Sequence, residues 1–194
     1  MDAIASRARS VSVAEAALDE LRVEVTGILD ELADTIDVQL EFPLAPVVLG
    51  DQEHKPVGPA RLDVVLTYAG SGIVASGTVA VDFNLKCSRC LADFVLPIVA
   101  DVEGFYVRPG VEAEVPEEQE AQPIVSRHID LMPAISSAIA LAMPFAPLHD
   151  PDCAGICVTC GSDLAEGPCG CEKDLSLSPF AALKDFVPAE DDDS

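Results

Sequence analysis

Tryptophan is absent from this 194-residue chain, and two Tyr and seven Phe are its only other six-membered aromatic rings. A core with so few rings has to be filled by Val, Leu, Ile and Ala, and β-branched side chains suit the pleated surface of a sheet. Basic residues are scarce as well: 11 Lys and Arg stand against 34 Asp and Glu, a formal charge of -23. Extensive binding of nucleic acid through its phosphates requires the opposite balance, so the charge favours a basic protein partner or solubility alone.

Long apolar runs are also missing. The longest uncharged stretch, 131–148, reaches only the lower edge of the about 17–25 residues that a membrane span needs. Pro133, Pro144 and Pro147 interrupt it, leaving a helical part of ~15 Å, half the thickness of a bilayer. It reads as a buried helix, with no membrane association. The N-terminus carries two Arg without a following apolar core, which excludes a secretory leader by pattern. A cytoplasmic protein is expected. Glycine-rich phosphate cradles and a deaminase-type H-x-E with P-C-x-x-C are absent too. Ser71, in "AGSG", is a hairpin residue with no base near it in sequence.

The present elements read as α+β: an antiparallel β meander or partly closed sheet, with a packed helix and a C-terminal zinc-knuckle module. Ser12 and Glu15 form a capping box before Leu18, Leu21, Val25, Ile28, Leu29 and Leu32, which predicts a helix over 13–34, although "LRVEV" also alternates as a strand. Residues 1–35 are thus an N-terminal helical extension. A β-rich core follows over 36–150. "IDVQLEF" is its first strand, 45–60 a loop with three Pro and two Gly, and three Val/Ile-rich runs from Arg61 to Val107 form the meander. The segment 109–123, with five Glu and three Pro, is an acidic loop. Asp130 caps the buried helix, which places Leu131, Ile135, Ile139 and Ala142 on one face. The cysteine-rich segment, 151–187, ends in a short helix begun by Ser178 and Pro179, and 188–194 is an acidic tail.

All seven cysteines fall in two patches, "CSRC" at 87–90 and "CAGICVTCGSDLAEGPCGC" at 153–171. A C-x-x-C turn presents two thiolates to one ion, and zinc takes about four such ligands at the corners of a tetrahedron. Two C-x-x-C turns with three further cysteines therefore predict at least one zinc ion. Two ions would be held by Cys87, Cys90, His149 and Cys153, and by Cys157, Cys160, Cys169 and Cys171. A single ribbon-like site from Cys87, Cys90, Cys157 and Cys160 is the alternative. Eight ligands for two ions leave no open coordination position, so the sites read as structural and the protein as no enzyme.

"GTVAVDFNLKCSRCLADFVLPI", "IDLMPAISSAIALAMPFAPLHDPDCAGICVTCGSDLAEGPCGC" and "SPFAALKDF" together resemble the YceD family, the large ribosomal RNA subunit accumulation proteins, over about 36–187. The resemblance implies that Cys87, Arg89, Cys90 and Leu91 match the family's C-R-C-L block. It implies Cys or His at position 149 and Cys at 153, and a knuckle at 155–161 followed by ligands at 169 and 171. A role in synthesis, processing or stability of 23S rRNA is implied with them.

These readings combine into a non-enzymatic ribosome-biogenesis factor with structural zinc. Its expected partner is a basic ribosomal protein or another large-subunit assembly factor, with at most a limited rRNA contact. Arg89, Arg108, Arg127, Lys86, Lys173 and Lys184 are the candidate cations, and Lys86 with Arg89 beside the first knuckle form the foremost cluster. A zinc-dependent RNA-processing enzyme using Asp150 and Asp152 is the alternative, followed by a thiol redox module. "HDPDC" otherwise reads as a turn.

Overall fold

β-Branched alternation gives the chain its main feature, an open sheet with one buried face. The computed structural model describes residues 21–29, 32–110, 121–171 and 181. Contacts divide the chain into a larger unit, 1–88 with 92–149, and a smaller one, 89–91 with 150–194.

In the larger unit, β2 (Thr35–Phe42) pairs antiparallel with β5 (Ala60–Tyr68), β5 with β6 (Gly72–Lys86), and β6 with β7 (Asp93–Val107). This is the expected meander, and its β6–β7 ladder runs unbroken from Gly72↔Val107 to Lys86↔Asp93. Period-two patterning sends Ile36, Val38, Leu62, Val64, Leu66, Ile73, Val79, Val81, Ile98 and Val102 into the core. Each such side chain contributes about 1.5–3 kcal/mol when removed from water. Alternate positions such as Asp63, Asp101 and Glu103 remain exposed on the other face.

Gly77 lies opposite Val64, where the β5 backbone approaches so closely that a Cβ would collide with the Asp63 carbonyl and Val64 Cα. Gly77 shares the core-facing side of β6 with Ala75 and Val79, and a side chain there is thus excluded.

The 45–60 loop instead contains a hairpin of β3 (Val47–Leu49) and β4 (Gln52–Pro56), and β4 continues onto the far half of β6 through Lys55↔Asn84 and Pro56↔Phe83. Gly50 at φ +60 supplies its turn, a conformation that costs Gly little. Within the acidic 109–123 segment, β8 (Ala121–Pro123) adds to β7 in parallel; 111–120 lie outside the described residues. Among the described residues β2 pairs with β5 alone and the three-residue β8 with β7 alone. The sheet is therefore open rather than partly closed.

The helix expected over 13–34 is corrected within 21–29. There β1 (Arg22–Glu24) pairs with β9 (His128–Asp130), and a 3-10 turn occupies Thr26–Ile28. The alternation of "LRVEV" prevails because Leu21, Val23 and Val25 all enter the core, whereas helical spacing would separate them. Residues 32–33 form a turn, with Ala33 at φ 68, in place of that helix's last residues; its remaining residues, the final helix apart from residue 181 and the acidic tail lie outside the described residues.

The helix α1 (Met132–Ala142) lies against β7 and also meets β6 and β3. Leu131, Ile135 and Ile139 are fully buried beneath it, while Ala142 is exposed. Leu131, not Asp130, holds the N-cap position. Asp130 still serves the helix start: Oδ1 accepts the Met132 N–H at 3.0 Å and the Leu21 N–H at 2.8 Å. Among the described residues no helix is long and apolar enough to cross a membrane.

Candidate metal centres

Two turns of the same construction carry the C-x-x-C pairs. In the first, linking β6 to β7, the Cys87 N–H donates to the Ala92 carbonyl at 2.8 Å and Leu91 stands in the left-handed region at φ 64. In the second, the Cys157 N–H donates to the Ser162 carbonyl at 2.8 Å and Gly161 stands at φ 74. Each turn thus closes five residues after its first Cys, with a left-handed residue directly after its second. Glycine meets that requirement without steric cost; leucine does not.

The sulfurs of Cys157, Cys160, Cys169 and Cys171 lie within 4.8 Å of one another in the smaller unit. Corners of a tetrahedron with the 2.3 Å arms of zinc thiolates are about 3.8 Å apart, so a small contraction fits this quartet to one ion. Cys157 is buried, whereas the other three are exposed. Backbone N–H groups of Cys160 and Thr159, then the Cys169 thiol, lower the Cys157 thiol to about 6. The Ser162 hydroxyl chiefly lowers Cys160, at a sulfur–oxygen distance of 3.1 Å. Cys160 and Cys169 in turn push Cys171 up to about 12. Two thiols are prepared for ionisation while a third resists for lack of a countercharge, which a divalent cation supplies.

Cys87, Cys90, His149 and Cys153 form the other quartet, again with ligand atoms within 4.8 Å. The turn carrying Cys87 is tied down by the Ser88 N–H donating to the Pro147 carbonyl at 2.8 Å. The His149 ring meets the edge of Phe94 at 6.3 Å between centroids. In the smaller unit, Arg89 Nη1 donates to the carbonyls of Pro151 at 3.1 Å and Cys153 at 2.9 Å, and the Arg89 carbonyl accepts the Ile156 N–H at 3.2 Å. Soft thiolates with one imidazole suit zinc.

The seven cysteines and His149 therefore fall into the two quartets of the two-ion reading; the ribbon grouping of Cys87, Cys90, Cys157 and Cys160 is not among the groups formed. Both could hold metal ions, and a bound ion would cross-link the chain segments that supply its ligands.

The candidate cations separate differently. Lys86 is ion-paired with Asp93 at 2.8 Å, and Arg89 is engaged with the two carbonyls. Asp150 acts as a turn residue: Oδ1 accepts the Asp152 N–H at 2.8 Å, and its carbonyl the Cys153 N–H at 3.1 Å.

A family model described as large ribosomal RNA subunit accumulation protein YceD matches residues 75–187. The chain belongs to the YceD family. This match starts later than the 36 expected from the motifs and includes every member of both quartets. YceD relatives include the uncharacterized protein Rv2926c of Mycobacterium tuberculosis and Mb2951c of Mycobacterium bovis. Each is 36% identical over 143 residues, covering 73% of this chain and 67% of the relative. The uncharacterized protein ML1660 of Mycobacterium leprae is 29% identical over 111 residues, 57% of this chain and 51% of its own. No solved structure matches.

Proposed function

We propose that this YceD protein is a non-enzymatic ribosome-biogenesis factor that sustains accumulation of the 23S rRNA. Two structural zinc ions, one per quartet, hold its cysteine-rich region, and its principal contacts are with a basic ribosomal protein or a large-subunit assembly factor. The family match over 75–187 carries the reading. Its description names rRNA accumulation, and the quartets lie within the matched residues.

Two features of the chain support the finer statement. Each quartet already offers four ligands, the full set of a closed structural site, whereas a catalytic zinc keeps one position for water or substrate. The charge of -23 disfavours a broad RNA interface and suits a basic protein surface. Asp150, one of the two carboxylates of the enzymatic reading, accepts the N–H of the other, Asp152, in the turn before Cys153.

Depletion of the protein in its own cells, followed by quantification of 23S against 16S rRNA, tests the role. A selective fall in 23S, restored by the wild-type chain, is expected. Unchanged 23S with normal large subunits would overturn it.

A further inference from the structure

Away from the quartets, the larger unit contains a cavity of about 350 Å³ lined by Thr26, Leu29, Arg108, Pro109, Ile124 and Arg127. Two of the chain's 11 basic residues meet there, and among the described residues no carboxylate lines it. Such a wall is unexpected in a chain with three times as many acids as bases. Two arginines on one concave wall would favour an anionic ligand there.

Both arginines are positioned by the fold. Arg108, directly after β7, donates from Nη2 to the Leu29 carbonyl at 3.1 Å and to the Tyr68 hydroxyl at 3.4 Å. That hydroxyl in turn donates to the Gly70 carbonyl at 2.6 Å. One guanidinium nitrogen thereby fixes the orientation of a fork that has five N–H donors in all.

Arg127 is held at a backbone cost. Val125 and His128 exchange two hydrogen bonds of 2.9 Å, and the residues between them, Ser126 at φ 51 and Arg127 at φ 64, are both left-handed. A two-residue turn of this kind favours Asn-Gly, and a non-glycine residue there costs roughly 1–2 kcal/mol. The Arg127 carbonyl also accepts the Val25 N–H at 2.9 Å, which locks the turn in place. The strained turn places Arg127 on the cavity wall, and sites where such strain is kept are often functional.

We infer that this cavity binds a nucleoside phosphate, with Arg108 and Arg127 gripping the phosphate while Leu29, Pro109 and Ile124 face the sugar or base. Guanidinium forks match phosphate oxygens in pairs. The volume lies at the lower end of ligand pockets, sized for one nucleotide and not for an extended duplex. The ligand arises either as one unit of an RNA chain or as a free nucleotide, and the choice of RNA rests on the function proposed above. A single gripped phosphate is the kind of limited RNA contact that a strongly acidic protein tolerates.

The test is fluorescence polarisation with a labelled single-stranded oligoribonucleotide, competed by uridine and adenosine monophosphates and by inorganic phosphate. The full wild-type chain is compared with Arg127→Gly and Arg108→Gln. Binding is expected in the wild type and at least tenfold weaker in each variant. Arg127→Gly should also melt no lower than the wild type, because glycine removes the left-handed strain; this separates lost binding from lost folding. Monophosphate binding that disappears in Arg127→Gly, with RNA binding no tighter, supports the pocket and assigns it to free nucleotides. Equal binding by wild type and Arg127→Gly, or no binding of either probe, overturns the inference. The depletion experiment reads rRNA independently: a fall in 23S without nucleotide binding rejects only the pocket, and nucleotide binding without a fall in 23S rejects only the role.

Discussion

Arg89 and Cys153, 64 positions apart in sequence, are joined by a hydrogen bond of 2.9 Å from the guanidinium to the cysteine carbonyl. The same nitrogen reaches the Pro151 carbonyl at 3.1 Å. The arginine inside "CSRC" therefore organises the backbone around a candidate ligand instead of reaching outward.

Arg89→Ala should cost about 1 kcal/mol in chemical denaturation, the value of ordinary hydrogen bonds in a partly solvated setting. The same variant should lose metal to a chelator faster than the wild type. Arg89→Lys should recover only part, since the ammonium sits on a shorter, more flexible stem than the guanidinium nitrogen that reaches both carbonyls. Full stability and unaltered metal retention in Arg89→Ala would refute this role.

Metal content offers a direct count. Protein purified without chelator should carry two zinc ions per chain, and Cys157→Ser should carry one while the sheet remains folded by circular dichroism. One ion falling to none would instead favour a single site.

Tyr106 is fully buried, and its hydroxyl finds no hydrogen-bond partner. Tyr106→Phe should consequently stabilise the fold by about 1 kcal/mol, because a buried polar group without a partner costs its desolvation. Burial, then the charge of Asp130, pushes the phenol up to about 12 from 10.0. A raised acid keeps its proton longer in the folded state, so its contribution is complete below pH 10 and disappears as pH rises towards 12. Wild-type stability should fall more steeply than that of Tyr106→Phe across this interval, by an amount on the order of 2 kcal/mol. Parallel pH profiles would count against the desolvation.

The two knuckles differ where each demands a left-handed residue. Leu91→Gly should raise the thermal midpoint slightly, by up to about 1 kcal/mol in stability, whereas Gly161→Ala should lower it by a similar amount. Opposite signs at equivalent turn positions would confirm that backbone conformation decides; a loss in both would implicate the exposed Leu91 side chain in packing.

Gly77→Val should disrupt the β5–β6 ladder, since the added atoms meet Asp63 and Val64 backbone that cannot move aside. A loss of several kcal/mol is expected, approaching the whole stability of a marginal domain. Near wild-type unfolding by urea would show that the strands can separate locally at little cost.

Strands β2 and β5 to β7 were legible because an amphipathic sheet repeats every two residues, and this chain has enough Val and Ile to make the repeat plain. The hairpin at Val47–Pro56 was hidden by Pro and Gly, which mark turns but say nothing of an edge that β6 leaves open. At 21–29 two periodicities competed, and burial of Leu21, Val23 and Val25 beside β9 resolved them. That pairing joins positions over a hundred residues apart, beyond the reach of any local pattern.

The grouping of cysteines was legible for a chemical reason: thiols repeated at C-x-x-C spacing have few uses other than a shared ion. The roles of the cations were not. Lys86 and Arg89 stood out by proximity to the knuckle, yet Asp93 and two carbonyls engage them. Arg108 and Arg127 are separated along the chain and share no motif. Sequence by itself determined which residues alternate into a core and which carry soft ligands, because both properties belong to single side chains at short spacings. Only the tertiary structure decided which cations face one cavity, since a shared electrostatic surface depends on where distant backbone segments come to rest.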